Sequence, residues 1–172
     1  MKSLISKSLL FSLVVTSIAC SSKKEEAPAT PVIDKEQIKQ EIQAKENEYA
    51  ETYNSGELKN ISYYADDAIV FAQNKGPFVG KDSIISYLKD GFDHSTKGNT
   101  ITCTTKEVFV SNDANQVVEI GYFTLLDSVK TVINSGNYMI LFEKRNGAYV
   151  SVREMSTSDL PLEETRILNF YR

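Results

Sequence analysis

The sequence predicts an α+β domain in which helices come first and a mostly antiparallel sheet follows, packed under a long first helix. Three observations carry this reading. Ile38, Ile42, Tyr49 and Tyr53 recur at helical spacing, with Glu and Lys between them. From Ile101 onward the period changes, and four stretches rich in Val, Ile, Thr and aromatic residues follow. Short turn-forming segments join those stretches, among them Asn146-Gly147, and strands joined this way run antiparallel. Helices followed by a run of strands is the pattern of the α+β class.

The elements are expected in this order. Asp34 is the N-cap of the first helix, with Gln37 reaching back in a capping box. Asn54-Ser55-Gly56 ends that helix, since glycine takes the left-handed conformation past a helix end. The glutamates between positions 36 and 51 read as its solvated face. A short second helix is expected over 57–64, with Asp66 and Asp67 marking the turn before a buried strand at 68–72. Residues 73–77 form a turn by composition. Asp82 caps a third helix that uses Ile84, Ile85 and Leu88 and has Gly91 past its end. Strands are then expected at 101–110, 116–126, 136–144 and 149–155.

Composition narrows the function. The chain has 172 residues, 41% hydrophobic, a net charge of −4, two cysteines and one histidine. Two cysteines make no disulfide-rich scaffold, and with a single histidine they make no Cys/His zinc site of the usual kind. No metal and no cofactor is expected. The acidic balance gives no nucleic-acid footprint.

The first twenty residues resemble a bacterial lipoprotein signal. Lys2 and Lys7 precede an apolar run of about twelve residues, within the range of a secretory signal core and too short to span a bilayer. Ser17-Ile18-Ala19-Cys20 resembles a lipobox, with Ser17 at the position where leucine is commonest. The resemblance implies cleavage before Cys20 and acyl chains on its sulfur, which places the protein in the bacterial cell envelope with the bilayer as its partner. The polar segment after Cys20 suits a tether. Losing Lys2 and Lys7 with the signal moves the net charge from −4 to −6, so the body is repelled by an anionic surface rather than drawn to it. The organisation read from the chain is a signal at 1–19, a lipidated cysteine and tether at 20–33, a folded domain at 34–156 and a tail at 157–172.

Within the domain, residues 49–57 (YAETYNSGE) and 63–68 (YYADDA) resemble the "Y-x-x-x-x-N-x-G-D … F-x-x-D-A" opening of the NTF2-like superfamily. They are closest to its SnoaL-like and DUF4440 branches. Residues 78–84 (FVGKDSI) match the helix start of that pattern. Gly121-Tyr122-Phe123, Gly136-Asn137-Tyr138 and residues 144–150 (KRNGAYV) match its strands, with Tyr149 at the usual tryptophan position. The resemblance implies a curved sheet wrapped on the first helix into a cone with an interior pocket, often paired into homodimers through the sheet. Carried over from the ketosteroid isomerase branch, Tyr49 stands at the oxyanion tyrosine, the general-base position is Ala72, and Asn137 is the polar residue nearest the second oxyanion position. A base needs a titratable group, which Ala72 lacks.

The candidate pocket residues are Tyr49, Tyr53, Phe71, Glu119, Asn137, Tyr138 and Arg153. Tyr49 and Tyr53 lie one turn apart and either pack in the core or present hydroxyls to a ligand. Arg153 and Glu154 alternate on the last strand, so they point to opposite faces. Cys103 is expected to be a buried, inert thiol, and His94 a solvated loop residue. The resulting expectation is a membrane-anchored binding module for a small, partly apolar ligand, or a dimerising scaffold, without catalysis. The alternative is a SnoaL-like isomerase, cyclase or hydratase.

Overall fold

A computed structural model describes residues 33–161. The signal segment, Cys20 and the tether up to residue 32 lie outside the described residues, as does the tail from residue 162. Two α-helices, a short 3-10 turn and six strands make up the domain: α1 (Lys35–Ser55), α2 (Lys81–His94), β1 (Tyr64–Phe71), β2 (Phe78–Val79), β3 (Thr100–Val110), β4 (Gln116–Leu126), β5 (Val132–Arg145) and β6 (Ala148–Ser158). The strands form one sheet in the order β2-β1-β6-β5-β4-β3. All neighbours are antiparallel except β1 and β6, which run parallel because the chain crosses from one edge of the sheet to the other between them. Among the described residues, no helix is long and apolar enough to cross a membrane.

Helix α1 begins and ends on local chemistry. Asp34 accepts a 3.0 Å hydrogen bond from the Gln37 backbone N–H, and Gly56 takes a positive φ of 76° past the last turn. Gln37 itself does not reach back. Its amide donates forward to Glu41, so the cap is one-sided.

The helix also closes an edge of the sheet. Strand β3 has no neighbour on its outer side, and α1 supplies partners for its free backbone groups. Asn54 Oδ1 accepts from Ile101 N–H at 2.7 Å, and Asn54 Nδ2 donates to Ile101 C=O at 2.9 Å. Gln43 does the same for Thr105 N–H and Cys103 C=O, and Lys39 Nζ donates to Lys106 C=O. An open edge invites pairing with another chain, and these side chains occupy it.

Several boundaries differ from expectation for identifiable reasons. The second helix is only the 3-10 turn Leu58–Asn60. Strand β1 begins at Tyr64, so Asp66 and Asp67 lie in a strand rather than before one, and Asp67 pairs with Arg145 on β5. Helix α2 starts after Gly80 without help from Asp82 and runs through Gly91, which an interior glycine permits at modest cost. Strands β5 and β6 are longer than expected, and β6 continues two residues past position 156.

Candidate functional site

Two inward-facing surfaces meet inside the fold: the buried face of α1 and the concave face of the sheet. Between them lies a cavity of about 290 Å³. Tyr49, Tyr53 and Tyr138 line it, as do Glu46, Cys103 and Glu154. Tyr49 is the hub of the aromatic wall, its ring centre 5.0 Å from that of Tyr63 and 6.2 Å from that of Tyr53.

Strand pairing determines which side chains enter. Gly121, Tyr138 and Ser156 form one inward row across β4, β5 and β6, and Glu119, Ile140 and Glu154 form the next. Gly121 makes room for Tyr138, because a Cβ at Gly121 would lie 2.2 Å from the tyrosine ring. Between β5 and β6 the register slips: Phe142 faces Ser151, but Leu141 faces Arg153. Val152 is the extra residue of a β-bulge. Tyr149 and Ser151 point inward before the bulge, and Val152, Glu154 and Ser156 point inward after it.

Two of the expected pocket residues are turned outward, Arg153 by that bulge and Asn137 by the alternation of β5, which points Tyr138 inward. Arg153 lies on the outer face, its guanidinium bonded to backbone carbonyls of Asp67 and Val152. Asn137, which pairs with Thr157, is exposed on the same face. Phe71 is a third correction. Ala68 and Val70 take the inward positions of β1, which turns Phe71 outward with 39% of its surface exposed. Glu119 does face inward and is fully buried, lying behind the cavity wall, where Tyr138 Oη donates to it at 3.4 Å. His94 is exposed at the end of α2.

The residue that sequence reasoning missed is Glu46. It is 1% exposed, deep between α1 and the sheet, and accepts a hydrogen bond from the Tyr63 phenol. A signal for it was available. Glu46 follows Ile38 and Ile42 at four-residue spacing and precedes Ala50 by four, so it lies on the apolar stripe and not on the solvated face.

Three carboxyls thus share the interior. Burial pushes Glu46 up to about 9, with the charge of Glu119 adding to the effect. Burial raises Glu154 to about 7, against a 2.9 Å hydrogen bond from Tyr64 that lowers it. Burial also raises Glu119, while hydrogen bonds from the groups around it pull it part-way back. Glu46 is therefore protonated at neutral pH. Glu119 Oε2 is buried without a hydrogen-bond partner, and the Thr105 hydroxyl and the Glu46 carboxyl are the polar groups beside it. Burial holds the Cys103 thiol protonated, which makes it unreactive.

No family model and no curated protein matches the sequence. Solved structures do match. An NTF2-like protein with a cystatin-like fold from Novosphingobium aromaticivorans superposes with a TM-score of 0.61 at 14% identity, over 78% of this chain and 90% of that one. A ketosteroid isomerase-like protein from Erwinia carotovora atroseptica gives 0.53 at 18% identity, over 71% and 96%. The hexachlorocyclohexane dehydrochlorinase LinA-type3 from Novosphingobium barchaimii gives 0.59 at 16% identity, over 72% and 88%. The domain has the NTF2-like, cystatin-like fold. At these identities the likeness concerns the fold, which is shared by enzymes and by proteins of unknown function, and not the chemistry.

Proposed function

We propose that the protein is a lipid-anchored protein of the bacterial cell envelope whose cone binds a small, partly apolar molecule. The observation that carries the binding reading is the aromatic-walled cavity with Glu46 and Glu154 in its lining. Apolar walls with a few convergent polar groups are what a small-molecule site requires. The anchor rests on the first twenty residues, with Cys20 as the acylated residue. Native mass spectrometry of the protein, released from membranes in mild detergent, tests the binding reading. A co-purifying small molecule lost in Tyr138→Ala supports it; a protein with no bound molecule, from any growth condition, counts against it.

One observation favours a second reading, a SnoaL-like enzyme that moves a proton on an apolar substrate. The Glu154 carboxyl lies in the cavity wall and titrates near 7, the range suited to a general base. Glu46, protonated beside it, and Tyr49 supply hydrogen-bond donors. The base that Ala72 lacks would then come from another strand. Deuterium entering the bound molecule in heavy water, and failing to do so in Glu154→Gln, distinguishes this reading from simple binding.

The outer sheet face suits a second copy of the chain. Phe71, Met155, Met139 and Ile120 occupy one cross-strand row over β1, β6, β5 and β4, with Met139 and Met155 more than half exposed. A contiguous apolar row of this kind is costly to leave in water, and pairing two such faces covers it.

A further inference from the structure

The cavity has an unusual charge balance. Its interior carboxyls have no cationic partner: every ion pair among the described residues lies elsewhere, on α1, on α2 or on the outer face around Arg145. The cation that does reach the cavity wall is Lys75, an exposed residue of the turn after β1, and its ammonium lies over the Tyr87 ring, 4.9 Å from the centre. One wall of the cavity thus already receives an alkylammonium group on an aromatic face, an attraction between positive charge and the ring quadrupole. Behind the wall, the fully buried Glu119 keeps one carboxylate oxygen without a protein side-chain donor.

A buried carboxyl without a counter-charge is costly to ionise, and these carboxyls meet that cost by holding protons. An anionic ligand would add to the charge. A neutral ligand would leave Glu154 as it is. A cation would pair with Glu154 and lie among the rings of Tyr49, Tyr53 and Tyr87.

We propose that the ligand of this cavity is an organic ammonium with an apolar body, its charge held against the Glu154 carboxylate and the surrounding tyrosine rings. This rests on the reading of the cavity as a small-molecule site and names the ligand class. Pairing with the cation favours ionised Glu154, so binding releases a proton wherever Glu154 begins protonated. The groups facing Glu154 are Glu46 and Tyr49 from α1, Tyr63 just before β1, Tyr64 at its start, Tyr87 from α2, Cys103 from β3 and Glu119 from β4. The phenols and the thiol stay neutral and Glu46 stays protonated until about pH 9; of the two carboxyls that remain, Glu119 lies behind the wall and Glu154 lines the cavity, so Glu154 is the one a ligand meets around neutrality.

Calorimetric titration of the full chain with benzyltrimethylammonium, whose charge does not depend on pH, and with its neutral isostere neopentylbenzene tests the proposal. The cation is expected to bind at least tenfold more tightly at pH 8, and its affinity to rise by about an order of magnitude from pH 6 to pH 8 as Glu154 ionises. The neutral isostere should show no such rise, and Glu154→Gln should abolish the rise for the cation. Equal binding of the two probes at pH 8, or a cation affinity flat across this range, overturns the cationic ligand while leaving the cavity a small-molecule site. Binding of neither probe overturns both. The wild-type comparison stands alone, so a misfolded Gln variant does not obscure the result.

Discussion

The Tyr64 phenol donates a 2.9 Å hydrogen bond to the Glu154 carboxyl, joining the parallel strands β1 and β6 inside the cavity wall. Burial raises both Glu154 and Glu46 and a phenol lowers each, Tyr64 on Glu154 and Tyr63 on Glu46, but Glu46 is driven further because the charges of both Glu119 and Glu154 add to its burial. Two glutamates in one interior thereby acquire different protonation states.

The two shifts make stability fall as pH rises. A glutamate titrates near 4.5 when unperturbed, and both groups hold their protons more tightly in the folded chain. Their contribution is fully present below that value and is lost as pH rises through about 7 for Glu154 and about 9 for Glu46. Glu46→Gln keeps an acceptor for Tyr63 and needs no proton. It is expected to gain on the order of 2 kcal/mol at pH 8 and to flatten the profile. Urea unfolding at pH 5 and pH 8 checks this. A variant no more stable than the wild type at pH 8 would contradict a buried neutral acid.

Asn54 bonds both backbone groups of Ile101 on the sheet edge. Asn54→Ala should cost about 2 kcal/mol, since it leaves part-buried backbone groups without partners. Amide exchange read residue by residue should quicken at Ile101 before it does so in β5. Unchanged protection there would mean that the edge needs no cover.

Gly121→Ala drives a methyl group into the Tyr138 ring and should destabilise the fold by roughly 1–3 kcal/mol. Paired with Tyr138→Ala, it should cost less than the sum of the two single changes. Strict additivity in that cycle would show that the contact does not govern the position of Tyr138.

Met139→Asp places a charge in the middle of the outer apolar row. If two copies pair through this face, light scattering of the wild type should give a dimer mass and the variant a monomer mass, with the unfolding midpoint of the isolated domain little changed. A wild-type monomer at micromolar concentration would remove the sheet from consideration as an interface.

Cys20→Ala is expected to move the protein from the membrane fraction to the soluble fraction and to abolish labelling by a fatty-acid analogue. A single acyl chain holds a protein only weakly, so loss of all chains should be clear in fractionation. Membrane association that persists in the variant would rule out Cys20 as the anchor.

Much of the domain is legible in the residues alone. Strand β4 is readable to the residue because turn-formers bound it on the N-terminal side and apolar residues fill it. The α1 stripe and its glycine stop are equally plain. The site is harder to read. Glu46 occupies a stripe position that its neighbours Ile42 and Ala50 define, yet its residue type argues for solvent. Burial of a glutamate becomes favourable only when a phenol such as Tyr63 and a proton come with it, and both are supplied from outside the helix.

The sequence by itself determined the α+β class, the two ends of α1 and the inert Cys103, because these depend on local periodicity, turn chemistry and residue type. Tertiary structure alone decided which carboxyls share the cavity. Alternation along a strand assigns side chains to two faces without saying which face is inside, and one unpaired residue at Val152 exchanges the two. That exchange turns Arg153 to solvent and Glu154 into the cavity, and only the register between β5 and β6 contains it.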